Sequence, residues 1–243
     1  MNNFEFANKV KEIALTKETL YVLGCFGAPL NAKNRKRYTS NNAYNKNRSA
    51  LINSKDSNCF GFDCVGLIKG VLWGWNGDTS KTYGGATYVS KGVPDIGANN
   101  MIKFSKEVST NFKNIEVGEV VWLDGHIGVY IGEGSVVECT PKWDNKVQIT
   151  ALANIGNKSG YNSRTWTSHG KLPYVDYISS DKGTALPKED VNIREYVVKA
   201  KDTLWGIAKT QLGSGSRYKE IMLMNGLKTT VIKPNQKLLL PLK

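Results

Sequence analysis

The stretch Ser179-Ser180-Asp181-Lys182-Gly183-Thr184-Ala185-Leu186-Pro187-Lys188-Glu189-Asp190 is mostly polar, holds a glycine and a proline, and has apolar residues at neither helical nor strand spacing. A packed element needs one of those periods to bury a face. No element is therefore expected to cross this stretch, and the chain must fold as two bodies. The expected division is a domain over 1–178, a linker over 179–194 and a small module over 195–243. Charge supports the split. Residues 195–243 hold nine Lys+Arg against three Asp+Glu, a net +6, and the rest hold 24 against 18, also +6 of the total +12. With 40% hydrophobic residues the chain can bury a core, which excludes a disordered or collagen-like protein.

The first thirty residues are interrupted by Glu5, Lys9, Lys11, Glu12, Lys17 and Glu18, leaving no apolar h-region for a secretory signal. No apolar run approaches the roughly 18 residues a membrane-spanning helix needs, so membrane insertion is not expected. The four cysteines, Cys25, Cys59, Cys64 and Cys139, contain no C-x-x-C pair and are too few for a disulfide scaffold. No metal and no cofactor is expected. The basic balance raises nucleic acid as a partner, but the lysines are spread out and no nucleic-acid motif accompanies them, so that partner is set aside.

Apolar residues at Phe6, Val10, Ile13 and Ala14 have the spacing of one helix face. A second helix is expected from Cys64. Residues 31–58, rich in Asn, Lys, Arg and Ser, read as an exposed loop or insertion, with Lys33-Asn34-Arg35-Lys36-Arg37 as solvated surface. From 117 onward, β-branched runs at 117–123, 126–131, 136–140 and 147–152 are separated by glycine turns, as in a strand meander. Helices followed by such a meander indicate an α+β domain, with helices packed on an antiparallel sheet.

In Phe60-Gly61-Phe62-Asp63-Cys64-Val65-Gly66-Leu67-Ile68, Asp63 is suited to cap a helix whose first turn holds Cys64. Helix N-termini favour thiolate over thiol, so Cys64 is expected to have a lowered pKa and to act as a nucleophile. The alternative is a thiol buried in an apolar helix. A nucleophile needs a base, and the chain has two histidines, His126 and His169. His126 opens a hairpin over 126–140. A three-residue turn with Gly134 left-handed would pair Ile131 with Ser135 and set Glu138 opposite Gly128, on the His126 face and diagonal to it. A two-residue turn would put Cys139 on that face instead. With the first register, Cys64, His126 and Glu138 have the logic of a nucleophile, a base and a group that orients the base. His169 as the base, and zinc held by Cys64 and His126, are the competing readings.

Tyr21-Val22-Leu23-Gly24, Phe62-Asp63-Cys64-Val65-Gly66-Leu67-Ile68, and Val117-Gly118-Glu119-Val120-Val121-Trp122 leading into Gly125-His126-Ile127-Gly128-Val129-Tyr130-Ile131-Gly132 together resemble the NlpC-type papain-like cysteine peptidases of bacterial cell walls. The resemblance spans roughly 5–177. It implies a papain-like fold in which Cys64 attacks an amide carbonyl, His126 shuttles the proton and Glu138 takes the third polar position. An acidic residue there is also common in the related CHAP amidases. Tyr21 and Asp63 match positions that line the pocket for the N-terminal side of the substrate. The family commonly has Ser where this chain has Val65 and Gly where it has Cys25, which bears on specificity.

The order of elements over 195–243, a strand, a capped helix beginning near Asp202-Thr203-Leu204-Trp205, a second helix ending at Asn225-Gly226 and a closing strand, resembles a LysM module. That is a small βααβ fold that binds N-acetylglucosamine-containing glycan. The resemblance implies a glycan groove at Asp202, Thr203, Leu204 and Asn225, while Trp205 is read as core. Lys201 and Asn235 stand where the family usually has Gly.

These resemblances imply an endolysin-like peptidoglycan hydrolase that cuts a stem-peptide amide through a Cys-His-Glu thioester mechanism. It would be made in the cytoplasm without a signal peptide and would act at the wall, as a phage or prophage lysin does. The partners implied are stem peptide, wall glycan and anionic wall polymers. The alternatives are a catalytically inactive wall-binding protein and a CHAP-like N-acetylmuramoyl-L-alanine amidase.

Overall fold

Asn2 starts the first helix. Its side chain accepts from Glu5 N at 2.9 Å while the Glu5 carboxylate accepts from Asn2 N at 2.9 Å, a reciprocal cap that satisfies two orphan donors of α1 (Asn3–Thr16). The helix buries Phe6, Val10 and Ile13, the face expected from their spacing. The structure, a computed structural model, describes residues 1–178, 193–225, 227 and 229–241. Two compact units divide the chain, 1–178 and 179–243. Residues 179–192 of the expected linker lie outside the described residues, while Ile193 and Arg194 already belong to a strand.

After α1, β1 (Thr19–Tyr21) and β2 (Phe26–Pro29) run into residues 31–58. That segment is not the expected loop. It folds as α2 (Ala32–Asn41), α3 (Ala43–Asn47) and α4 (Ser49–Ser54). Asn31 and Asn42 cap the first two of these, accepting from Asn34 N at 3.0 Å and Asn45 N at 2.8 Å. The segment sends only Tyr38 and Ile52 into an apolar cluster with Leu20, Val22, Cys25, Leu30 and Cys59. Two apolar anchors in so polar a stretch produce no visible period, which is why its helices escape sequence reading.

β3 (Phe60–Phe62) completes a three-stranded sheet of order β1-β3-β2 and leads directly into α5 (Cys64–Leu72), the helix expected there. After α6 (Ala98–Phe104) come β4 (Lys106–Ser109), β5 (Val120–Leu123), β6 (His126–Gly132), β7 (Ser135–Thr140), β8 (Lys146–Leu152), β9 (Ser163–Arg164) and β10 (Ser168–Lys171). They form a seven-stranded sheet of order β4-β10-β5-β6-β7-β8-β9, antiparallel except for the β8–β9 pair. The meander from β5 to β8 is the expected one. α1 and α5 cover one face, where Phe6, Val10, Leu67, Ile68 and Val71 meet Val120, Ile127, Val129 and Val137. By strand alternation, Val121, Tyr130, Val136 and Leu152 share a second cluster with Phe112 and Trp166. The first unit is therefore mixed α/β with helices on a sheet.

In the second unit β11 (Ile193–Val197) pairs antiparallel with β12 (Lys237–Pro241), and α7 (Leu204–Leu212) and α8 (Tyr218–Met224) lie between them in sequence. Its core is Val198, Leu204, Ile207, Ala208, Leu212, Ile221, Leu238 and Leu240. Among the described residues no helix is long and apolar enough to cross a membrane.

Candidate active site and glycan-binding module

Asp63 holds the start of α5. Its Oδ1 accepts from Gly66 N at 2.5 Å and its Oδ2 from Gly24 N at 2.7 Å, so one carboxylate caps the helix and ties in the loop after β1. Both oxygens are thus committed, and Asp63 holds that loop against the start of α5. A Cβ at Gly66 would lie 2.0 Å from Cys25 O, and one at Gly70 would lie 2.5 Å from Phe26 O. These glycines let the chain around β2 press flat against α5 beside Cys64.

Cys64 stands in the first turn of α5 and is 8% exposed. The expected lowered pKa is not found. Burial, reinforced by the neighbouring Asp63 carboxyl, pushes the thiol up to about 12, while the N–H groups of Ile127, Val65 and Cys64 itself oppose the rise. Desolvation outweighs the helix terminus because almost no water reaches the sulfur. The Ile127 N–H that faces the thiol belongs to the residue after His126, which brings the start of β6 to Cys64. The other cysteines are buried and free. Cys25 and Cys59 sit in the α2–α4 cluster, and Cys139 donates to Phe62 O at 3.2 Å.

Gly128 pairs with Glu138, as expected, although the turn is not the expected one. Gly132 pairs with Ser135, leaving a two-residue loop of Glu133 (φ +50°) and Gly134 (φ +67°), and the register shifts between Tyr130 and Gly132. That irregularity compensates for the shorter turn and keeps Glu138 on the His126 face. His126 Nε2 lies 2.7 Å from Glu138 Oε2. A Cβ at Gly128 would lie 2.8 Å from Val136 Cγ1 and 3.2 Å from Trp166, whose ring stacks on His126 with centroids 5.3 Å apart and planes 14° apart.

Three further residues that sequence reasoning missed complete this cluster. Thr150 Oγ1 donates to Glu138 Oε1 at 2.7 Å, Arg164 binds both Glu138 oxygens, and Trp166 packs as described. Pairing within the β7–β8 hairpin offered a signal for Thr150. Arg164 had none, because β9 reaches β8 in parallel from a stretch without alternation. Burial pushes the Glu138 carboxyl up, but the His126 hydrogen bond and the Arg164 charge outweigh it and leave the pKa below the usual range.

Burial, followed by the coulombic influence of Cys64 and Asp63, raises the Tyr21 hydroxyl pKa. The ring meets Tyr44 edge-on at 6.0 Å, and Arg48 Nη1 donates to Tyr21 O at 2.9 Å while Nη2 donates to Asn145 Oδ1 at 2.6 Å. The 31–58 segment thereby packs against Tyr21. His169 is buried elsewhere, with Nδ1 on Glu119 and Nε2 on Asn111 O, so both of its ring nitrogens are engaged.

In the small unit Thr203 caps α7, accepting from Gly206 N at 3.0 Å, and Asp202 Oδ2 accepts from Lys199 N and Tyr196 OH, each at 2.8 Å. Lys201 and Asn235 are both left-handed, with φ +71° and +68°, the conformation a glycine takes without strain. The strand–helix–helix–strand order is closed by Asn225, whose side chain accepts from Leu239 N at 2.7 Å and donates to Leu239 O and Ile221 O, each at 2.8 Å. Residues 196–241 match the LysM domain. LysM domains bind the N-acetylglucosamine-containing glycan of peptidoglycan, so this match indicates a wall-binding role. A comparison with curated proteins finds no match for the chain.

Within the LysM domain the four expected groove residues serve its own architecture. Leu204 is 1% exposed in the core, Asn225 spends its amide on β12 and α8, and Asp202 and Thr203 shape the turn before α7. Trp205 departs from expectation. It is 53% exposed, with one side of its ring against Gly215 and Lys209 Nζ 5.0 Å from the ring centroid.

Proposed function

We propose that the chain is a peptidoglycan hydrolase: residues 1–178 form a papain-like, NlpC-type cysteine peptidase or amidase, and the LysM domain tethers it to wall glycan. One observation carries the reading. A buried carboxylate, Glu138, orients His126 on a strand whose next residue faces the Cys64 thiol from α5. With Nε2 engaged by Glu138, Nδ1 of His126 is the nitrogen left for proton transfer.

In this reading Cys64 Sγ bonds to the amide carbonyl carbon as its proton passes to His126 Nδ1. The proton then moves to the leaving amine as the C–N bond breaks, leaving a thioester. Water, deprotonated by His126, attacks the thioester, and the sulfur departs and regains a proton. The raised thiol pKa makes transfer concerted with attack the natural route, rather than reaction of a standing thiolate. Tyr21 and Asp63 bound the side that takes the N-terminal part of the substrate. Anionic wall polymers supply counter-charge, and tethering raises local substrate concentration without new contacts at the site. Action at the wall, in the manner of a phage or prophage lysin, follows from the substrate.

The test is digestion of purified sacculi by wild type and Cys64→Ala, with the new termini read by mass spectrometry. Clearing by wild type alone supports the reading, and the residue that carries the new amino terminus distinguishes the activities, L-Ala for a muramoyl-alanine amidase and a later stem residue for a peptidase. Equal clearing by both forms refutes it. The burial and high pKa of Cys64 favour a second reading, a wall-binding protein without hydrolytic activity, for which neither form clears while both bind sacculi.

A further inference from the structure

Glu138 has no solvent exposure, and a carboxyl so placed favours its neutral form unless donors and cations replace the lost hydration. His126 supplies only one donor. A neutral Glu138 would donate its O–H to Nε2, the ring proton would sit on Nδ1, and the nitrogen left for proton transfer would have no lone pair. The charge state of Glu138 therefore decides whether His126 can act as a base.

Arg164 is placed to decide that state. Its Nε lies 2.9 Å from Glu138 Oε2 and 3.1 Å from Oε1, and its Nη2 lies 2.9 Å from Oε2. Thr150 fills a further acceptor position on Oε1. The guanidinium itself lies over two indoles, 4.9 Å from the Trp143 ring centroid and 5.5 Å from that of Trp166, and Trp166 stacks on His126. Arg164 and His126 thus share both a carboxylate and an aromatic ring. Lysine could supply the charge at this position but not the planar fork.

Resting on the peptidase reading, we propose that Arg164 is a positioning residue of the Cys64–His126–Glu138 site, holding Glu138 anionic so that His126 carries its proton on Nε2 and keeps its lone pair on Nδ1. The depressed pKa of Glu138 accords with this.

The experiment uses the full chain as wild type, Arg164→Lys, Arg164→Leu and Glu138→Gln. Long-range proton–nitrogen NMR at about pH 8, above the ordinary imidazole pKa of about 6.5, reads the His126 tautomer, with His126→Asn for assignment. Wild type is expected to show the Nε2–H form and Arg164→Leu the Nδ1–H form, with Arg164→Lys retaining Nε2–H. On a soluble muropeptide, kcat is expected to fall on the order of 100-fold in Arg164→Leu with KM within about twofold, and Arg164→Lys to recover about tenfold of that loss. An Nε2–H tautomer in Arg164→Leu, or a kcat unchanged from wild type, overturns the proposal. If Arg164→Leu does not fold, Arg164→Gln, which removes the charge but keeps a polar side chain, decides: the Nδ1–H form is expected there, and an Nε2–H tautomer with wild-type kcat overturns the proposal. A wild type that cleaves no muropeptide refutes the peptidase reading alone, because the tautomer comparison still judges the role of Arg164.

Discussion

His126 Nε2 and Glu138 Oε2 lie 2.7 Å apart across a strand pair, and the carboxylate side of that contact is closed to solvent. Two substitutions of the carboxylate partner should therefore have different consequences. Glu138→Gln keeps the shape and much of the hydrogen bonding but loses the charge, and is expected to abolish most hydrolysis. Glu138→Ala also strands Arg164, whose side chain is 15% exposed, and should cost about 3–5 kcal/mol of stability. Urea titration of both variants beside their hydrolysis rates checks this.

The raised thiol of Cys64 gives a pH signature. Iodoacetamide should alkylate it slowly near neutrality, with a rate that climbs toward about pH 12 and shows no plateau near pH 7. A fast reaction that levels off below pH 8 would mean that a standing thiolate exists.

The same shifts bear on stability. Burial raises Cys25 to about 11 and Cys59 and Cys64 to about 12, from ordinary values near 9. The folded state therefore retains protons that the unfolded chain releases between pH 9 and 12. Stability from these thiols is fully present below pH 9 and is lost as the pH rises through that window. Chemical denaturation midpoints should fall there, and Cys59→Ser should flatten the fall.

His169 and Glu119 form a second buried pair, remote in role from the first. His169→Leu leaves the Glu119 carboxyl without its partner and should cost about 3 kcal/mol by urea unfolding. Residual folded protein should still react at Cys64 as wild type does, because no step assigned above uses His169.

In the LysM domain, Lys201→Gly removes the cost of a side chain at φ +71° and should stabilise that domain by about 1 kcal/mol. Asn235→Gly, at φ +68°, should gain less because asparagine tolerates this region. Thermal unfolding of the full chain, followed at the LysM transition, distinguishes the two.

Much of the site was legible because its cues are short-range. Asp63 before an apolar run signals a capped helix at Cys64, and a count across one hairpin sets Glu138 opposite Gly128. The count succeeded although the turn differed, because the irregularity after Tyr130 made up for the shorter loop. The helices of 31–58 were illegible for the opposite reason, with only Tyr38 and Ile52 anchoring them in the apolar cluster.

By itself, the sequence determined the division of the chain after residue 178, the helix that begins at Cys64, the meander and the face shared by His126 and Glu138, because caps, turns and apolar periods act over a few residues. Only the tertiary structure decided that Arg164 and Trp166 complete the cluster, that Leu204 lies inside and Trp205 outside, and that the Cys64 thiol is held high. Burial and charge pairing depend on which distant segments arrive beside a residue, and no local pattern encodes that arrival.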